Sequence, residues 1–176
     1  TPRKYGLHAT LKPPFGLAEG TTADGLLAEF EALCTRLSPV TLDGLALTPL
    51  GRFLALTPEG GTAALNAMAA EVVRGLDPFR APPAEADLAR RRQANLTPAQ
   101  EANLSQWGYP YVMEAFRFHV TLTGKLPKSD LPQVTAALAP YIAPHLPQPF
   151  VLSSLTLVGQ AEDGMFHEVH RAALSG

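Results

Sequence analysis

Two histidines in this chain each stand two positions ahead of a threonine and three ahead of a leucine: His8-Ala9-Thr10-Leu11 and His119-Val120-Thr121-Leu122. On a strand, side chains alternate with period two, so His8 and Thr10 share a face, as do His119 and Thr121. Facing each other, the pairs would make a site of two imidazoles and two hydroxyls, which suits phosphodiester chemistry. A neutral imidazole takes a proton from water or a neighbouring hydroxyl, and a protonated one gives a proton to the departing oxygen; histidine titrates close enough to neutrality for both tasks. The threonine hydroxyls can donate to non-bridging oxygens as negative charge grows on them. A lone His-x-Thr is most often incidental, so weight falls on what surrounds each copy.

The surroundings are also duplicated. Residues 4–11 alternate in character and stop at Pro13-Pro14, which predicts a strand. Thr21 or Thr22 then caps a helix with apolar positions Leu26, Leu27, Phe30, Leu33, Cys34 and Leu37, and strands are expected at 40–47 and 52–56. In the second half a strand is expected at 116–123, a helix capped by Ser129 and running to about residue 143, and strands at 150–158 and 165–173. Each half reads strand, helix, strand, strand, and each opens on histidine, one residue, threonine, leucine. A pseudo-twofold arrangement would bring the four side chains into one water-accessible cleft. The imidazoles would then stand roughly 5 to 8 Å apart, enough for each to reach an oxygen on opposite sides of one phosphorus.

Between the halves lie a helix at about 62–76, the run Arg90, Arg91 and Arg92, and a second helix start at Thr97-Pro98-Ala99-Gln100 leading to Trp107-Gly108-Tyr109-Pro110-Tyr111. This reads as an inserted helical hairpin or lid. Lys12, Arg117 and Lys125 flank the motifs; Lys12 and Lys125 could balance phosphate charge, and Arg117, sharing strand parity with His119, is the preferred cationic contact. Tyr5, Trp107, Tyr109 and Tyr111 could stack on a base or ribose. The string His167-Glu168-Val169-His170 invites a metal reading, but on a strand its histidines would point to opposite faces and the spacing is not His-Glu-x-x-His, so no metal and no cofactor is expected.

Composition sets the bounds. With 176 residues, 46% of them hydrophobic, and a formal net charge of −2, the chain can bury a substantial core and carries no basic arm for generic nucleic-acid binding. The single cysteine, Cys34, lies in an apolar helical pattern and fits a reducing cytoplasm, and no apolar run has the length of a membrane span. A monomer without membrane attachment is expected.

The fuller strings Arg3-Lys4-Tyr5-Gly6-Leu7-His8-Ala9-Thr10-Leu11-Lys12-Pro13-Pro14-Phe15 and Phe116-Arg117-Phe118-His119-Val120-Thr121-Leu122-Thr123-Gly124, with Trp107 to Tyr111 between them, resemble the 2H phosphoesterase superfamily, and within it a branch linked to bacterial phosphonate-utilisation operons. The resemblance implies an α+β, bilobal fold of two pseudo-symmetric β-α-β-β lobes with antiparallel sheets around a central cleft. Lobe 1 would span about 1–60, the helical insertion about 61–114 and lobe 2 about 115–176. It implies that His8 and His119 are the acid and base and that Thr10 and Thr121 hold the phosphate. The substrate implied is a small phosphorylated metabolite or a nucleotide or RNA end, such as a cyclic phosphodiester on ribose; the competing reading is a module that binds a nucleotide or RNA in the same cleft without turnover. Members of the superfamily carry a further strand before the first motif, so the native gene product is expected to be longer.

Overall fold

The computed structural model describes residues 6–176. They form two compact units that interleave along the sequence: one holds the described residues up to Thr10 with Pro39–Thr62 and Phe118–Leu174, the other Leu11–Ser38, Ala63–Arg117 and Ser175–Gly176. These units do not follow the two sequence halves. The first gathers the strands of both halves, the second most of the helices.

In the helical unit, α1 (Ala23–Arg36) starts where the Thr22 hydroxyl accepts the Gly25 N–H at 3.0 Å, and buries Leu26, Phe30, Leu33 and Cys34 on one stripe. It packs on α2 (Ala63–Gly75), whose inner face is Leu65, Met68, Ala69, Val72 and Val73. The short α3 (Glu85–Arg92) follows, then α4 (Pro98–Trp107). Helix α4 opens with a full capping box, Thr97 with Gln100, and ends at Gly108, whose φ of 72° is the left-handed conformation that closes a helix cheaply only in glycine. Buried Asn103 donates from Nδ2 to Val112 O and Glu114 Oε1, both at 3.0 Å, tying the loop after α4 back onto it. No helix among the described residues is long and apolar enough to cross a membrane.

In the sheet unit every pairing is antiparallel. Strand β1 (Val40–Leu42) pairs with β5 (Phe150–Leu152); β2 (Gly44–Leu50) pairs with β3 (Phe53–Glu59), which pairs in turn with β4 (Val120–Thr121); and β6 (Ser154–Gln160) pairs with β7 (Phe166–Ala173). Helix α5 (Leu131–Ile142) packs on β2 and β3. Two ladders, β1 with β5 and β3 with β4, join the first half of the chain to the second. The mixed α+β composition and the order helix, short strand, hairpin recur in both halves, as α1-β1-β2-β3 and α5-β5-β6-β7.

The structure corrects several boundaries. Residues 6–11 form no strand: Gly6 has a φ of 73°, which breaks an extended run, and no ladder partner takes up the backbone. The expected strand at 116–123 shrinks to Val120–Thr121. It stops because Leu122 N and Thr123 N both bond to Leu54 O, at 2.9 and 3.3 Å, while the Thr123 hydroxyl instead of a backbone carbonyl accepts the Leu54 N–H at 3.0 Å. The strands expected at 40–47 and 150–158 are each divided, at Asp43 and at Ser153. Ser129 does not cap α5; its hydroxyl donates to Asp130 Oδ1 at 2.7 Å, and the helix begins at Leu131.

Candidate active site

The second motif is seated on the first half's hairpin. Thr121 lies opposite Ala55 and Val120 opposite Leu56, and continuing that register one step sets Thr57 opposite His119. The parity expected of this motif holds. Phe118 and Val120 turn inward, 8% and 9% exposed, with the Phe118 ring 6.3 Å from that of Phe150. His119 and Thr121 take the other face, both half-buried. On that face Phe53 and His119 reach toward each other from either side of the Ala55–Thr121 pair until their rings are 6.0 Å apart, and Ala55 beneath them is wholly buried.

Two further hydroxyls belong to this face. Thr48 stands opposite Ala55, and its Oγ1 is 2.7 Å from Thr57 Oγ1, so Thr48, Thr57 and Thr121 surround the alanine. Sequence reading passed over Phe53, Thr48 and Thr57 because they lie far from either motif in the chain; only the register of β4 against β3 brings them in. Such a face, one imidazole with several neutral hydroxyls, can exchange a proton and hydrogen-bond an anion.

The first motif lies in the same compact unit. His8 is exposed, and its Nδ1 is 3.1 Å from Gly6 O. A carbonyl can only accept, so Nδ1 donates there. Thr10 is exposed, and its hydroxyl makes no hydrogen bond to the described residues.

Of the remaining residues singled out from sequence, Lys12, Trp107, Tyr109, Tyr111 and Arg117 belong to the helical unit, Lys125 is exposed in the sheet unit, and Tyr5 lies outside the described residues. Lys12, expected to balance phosphate charge, is engaged within the helical unit. Its Nζ, 5% exposed as a side chain, donates to Asp77 Oδ1 and Val73 O at 3.0 Å each, with the Phe15 ring 5.3 Å away. Burial lowers the Lys12 ammonium from its ordinary value, with Asp77 opposing. Burial alone would raise the Asp77 carboxyl, but hydrogen bonds from Arg80 and Lys12 outweigh it and hold Asp77 below the usual carboxylate range. The cation is thus committed to pinning the segment after the first motif against the turn at Asp77–Phe79.

Arg117 donates from Nη1 to Phe116 O at 2.9 Å and is exposed, between buried Phe116 and buried Phe118. Trp107 closes α4, half-buried. Tyr109 lies under the Arg91 guanidinium, 4.6 Å from its ring centroid, and edge-on to Tyr111 at 5.7 Å; burial pushes its phenol up. Tyr111 remains exposed.

Strand β7 places its two histidines differently from the expectation of opposite faces. Between Glu168 and His170 strand β7 carries a bulge at Val169, so His167 stands opposite Gly159 and His170 opposite Leu157, on one face and not two. Even so, no group of three or more His, Cys, Asp or Glu side chains comes together among the described residues.

Two curated relatives match nearly the whole chain. A protein of Janthinobacterium sp. (strain Marseille) named "Ribose 1,5-bisphosphate phosphokinase PhnN" is 38% identical over 179 residues, 99% of this chain and 40% of the relative. A protein of the same name from Laribacter hongkongensis (strain HLHK9) is 36% identical over 165 residues, 92% of this chain and 37% of the relative. The chain therefore spans about two fifths of the length of the curated relatives it matches. Residues 10–167, from the first threonine of the repeated motif to His167 near the start of β7, match the family described as "Protein of unknown function (DUF1045)", and to that family the chain belongs.

Proposed function

We propose that this chain is a 2H-type phosphoesterase that opens a cyclic phosphodiester on a ribose-containing metabolite or RNA end by acid and base catalysis from His8 and His119, without a metal. The observation that carries the reading is the seating of His119 and Thr121 on one hydroxyl-lined face, in the same compact unit as a second His-x-Thr. In the reaction, one neutral imidazole takes a proton from water as its oxygen bonds to phosphorus. The phosphorus–oxygen bond to the ribose breaks, and the other, protonated, imidazole supplies the proton of the alcohol that leaves. One water is consumed, and solvent exchange resets the two histidines. Thr10 and Thr121 donate to the non-bridging oxygens.

The relatives' printed name concerns phosphorylation of a ribose phosphate. This chain holds no G-x-x-x-x-G-K-[S/T] string to cradle a nucleoside triphosphate, which supports assigning the named kinase activity to the remaining three fifths of those longer proteins. Ring opening of a cyclic phosphate on ribose leaves a ribose phosphate monoester, the class of compound that name mentions, and this fits a place in phosphonate metabolism. The test is turnover by the purified chain of 2',3'-cyclic nucleotides, cyclic phosphates of ribose and linear diesters, all in EDTA. Ring opening is expected for at least one cyclic substrate; tight binding without any turnover would replace the enzyme by a binding module.

A further inference from the structure

The hairpins β2–β3 and β6–β7 are one design built twice. In both, seven residues pair with seven, and the second strand opens on phenylalanine, Phe53 opposite Leu50 and Phe166 opposite Gln160. Matching partner to partner, Ala55 corresponds to Glu168, each standing two pairs beyond the phenylalanine, and Thr57 corresponds to Arg171. The bulge enforces this second match. By leaving Val169 unpaired, it sets Glu168 and Arg171, three apart in sequence, on one face; an unbroken ladder would have put His170 there.

In the first hairpin these two places flank the second motif, Ala55 beside Thr121 and Thr57 beside the His119 position. In the second they hold an ion pair: Arg171 Nη2 donates to Glu168 Oε2 at 2.6 Å, with Nε 3.5 Å from Oε1. Both side chains are more than half exposed, 58% and 51%, and an exposed pair of this kind contributes little to stability. The carboxylate fixes one edge of the guanidinium and leaves Nη1 for another acceptor.

The second hairpin lacks only the neighbour that β4 gives the first. Among the described residues β7 has one ladder partner, β6. Leu7 is 73% exposed although its counterpart in the other motif, Phe118, is 8% exposed, and Val169 on β7 is 58% exposed. We propose that residues 7–10 dock along β7 as β4 lies along β3, and that Arg171, steadied by Glu168, is the cationic contact for the substrate's phosphate. The identity of that anion rests on the phosphoesterase reading. The docking puts Thr10 beside Glu168, Ala9 beside His170 and His8 beside Arg171.

Two measurements on the full chain test this without reading turnover. Inorganic phosphate titrated by NMR should bind at least tenfold more weakly to Arg171→Gln than to the parent, with Arg171→Lys between them; equal affinities, or a parent that binds no phosphate, overturn the assignment. Ala9→Cys with His170→Cys should form an intramolecular disulfide under oxidised glutathione, whereas the off-register pair Ala9→Cys with Ala161→Cys should not, buried Cys34 staying a thiol in both. Failure of the 9–170 link, or equal yields from the two pairs, overturns the docking. A parent that binds phosphate through Arg171 yet turns over no diester would sink the phosphoesterase reading and leave this inference standing.

Discussion

The Phe53 ring lies 6.0 Å from the His119 imidazole, tilted by 51°, with the wholly buried Ala55 beneath the two. A contact of this kind limits the rotamers open to the histidine, and on the proposed phosphoesterase reading Phe53 would position it. Phe53→Ala is expected to lower kcat by about tenfold with little change in KM, and Phe53→Leu to restore most of the loss, since proximity and not ring chemistry is at stake. Steady-state kinetics of both variants decide the matter; a loss confined to KM would point to substrate stacking instead.

Replacing either His8 or His119 by alanine should lower turnover by about two to four orders of magnitude, the usual worth of a positioned acid or base. Both variants should melt near the parent temperature, because His8 is exposed and His119 only half-buried. The parent's rate should be bell-shaped in pH, since the proposed reaction needs one imidazole neutral and the other protonated. Near-native turnover by either variant on the true substrate would remove the assignment.

Activity should survive chelation, since two imidazoles and two hydroxyls supply proton transfer and charge stabilisation by themselves. Turnover measured before and after dialysis against EDTA is the check, and loss reversed by one divalent metal would contradict it.

The Lys12–Asp77–Arg80 network predicts an asymmetry between two substitutions. Asp77→Asn leaves the nearly buried Lys12 ammonium without its counter-charge and should cost about 2 to 4 kcal/mol, whereas Lys12→Met leaves Asp77 paired with Arg80 at 2.7 Å and should cost less than about 2 kcal/mol. The folded-state pKa of Asp77 is depressed, so its contribution is fully present above the unfolded value of 3.8 and is lost as pH falls through the lower folded value. Urea midpoints between pH 2 and pH 6 should fall less steeply on acidification in Asp77→Asn than in the parent.

Gly108→Ala should destabilise by about 1 to 2 kcal/mol, because the residue sits at φ 72° and an added Cβ would stand 2.9 Å from Arg80 Nη1. Thermal melts of this variant, with Gly124→Ala as an unhindered control, test it.

What sequence alone could reveal follows from where the information is held. Helices α1, α2 and α4 were legible because their caps and apolar stripes are local, as with Thr22 over Leu26 and Phe30. Strand ends were not, because a strand exists only where a partner meets it: β4 is two residues long by virtue of what β3 offers it. The role of Lys12 depends on Asp77, 65 residues onward, and nothing near Lys12 announces it. The shared face of His167 and His170 was misread for a similar reason, since a bulge is defined against the opposite strand and leaves no mark in its own residues.

The two ladders that cross between the halves make each half depend on the other for a closed edge, since β3 is completed by β4 and β1 by β5. Either half made alone would display raw edges that its sister normally covers, inviting promiscuous strand addition.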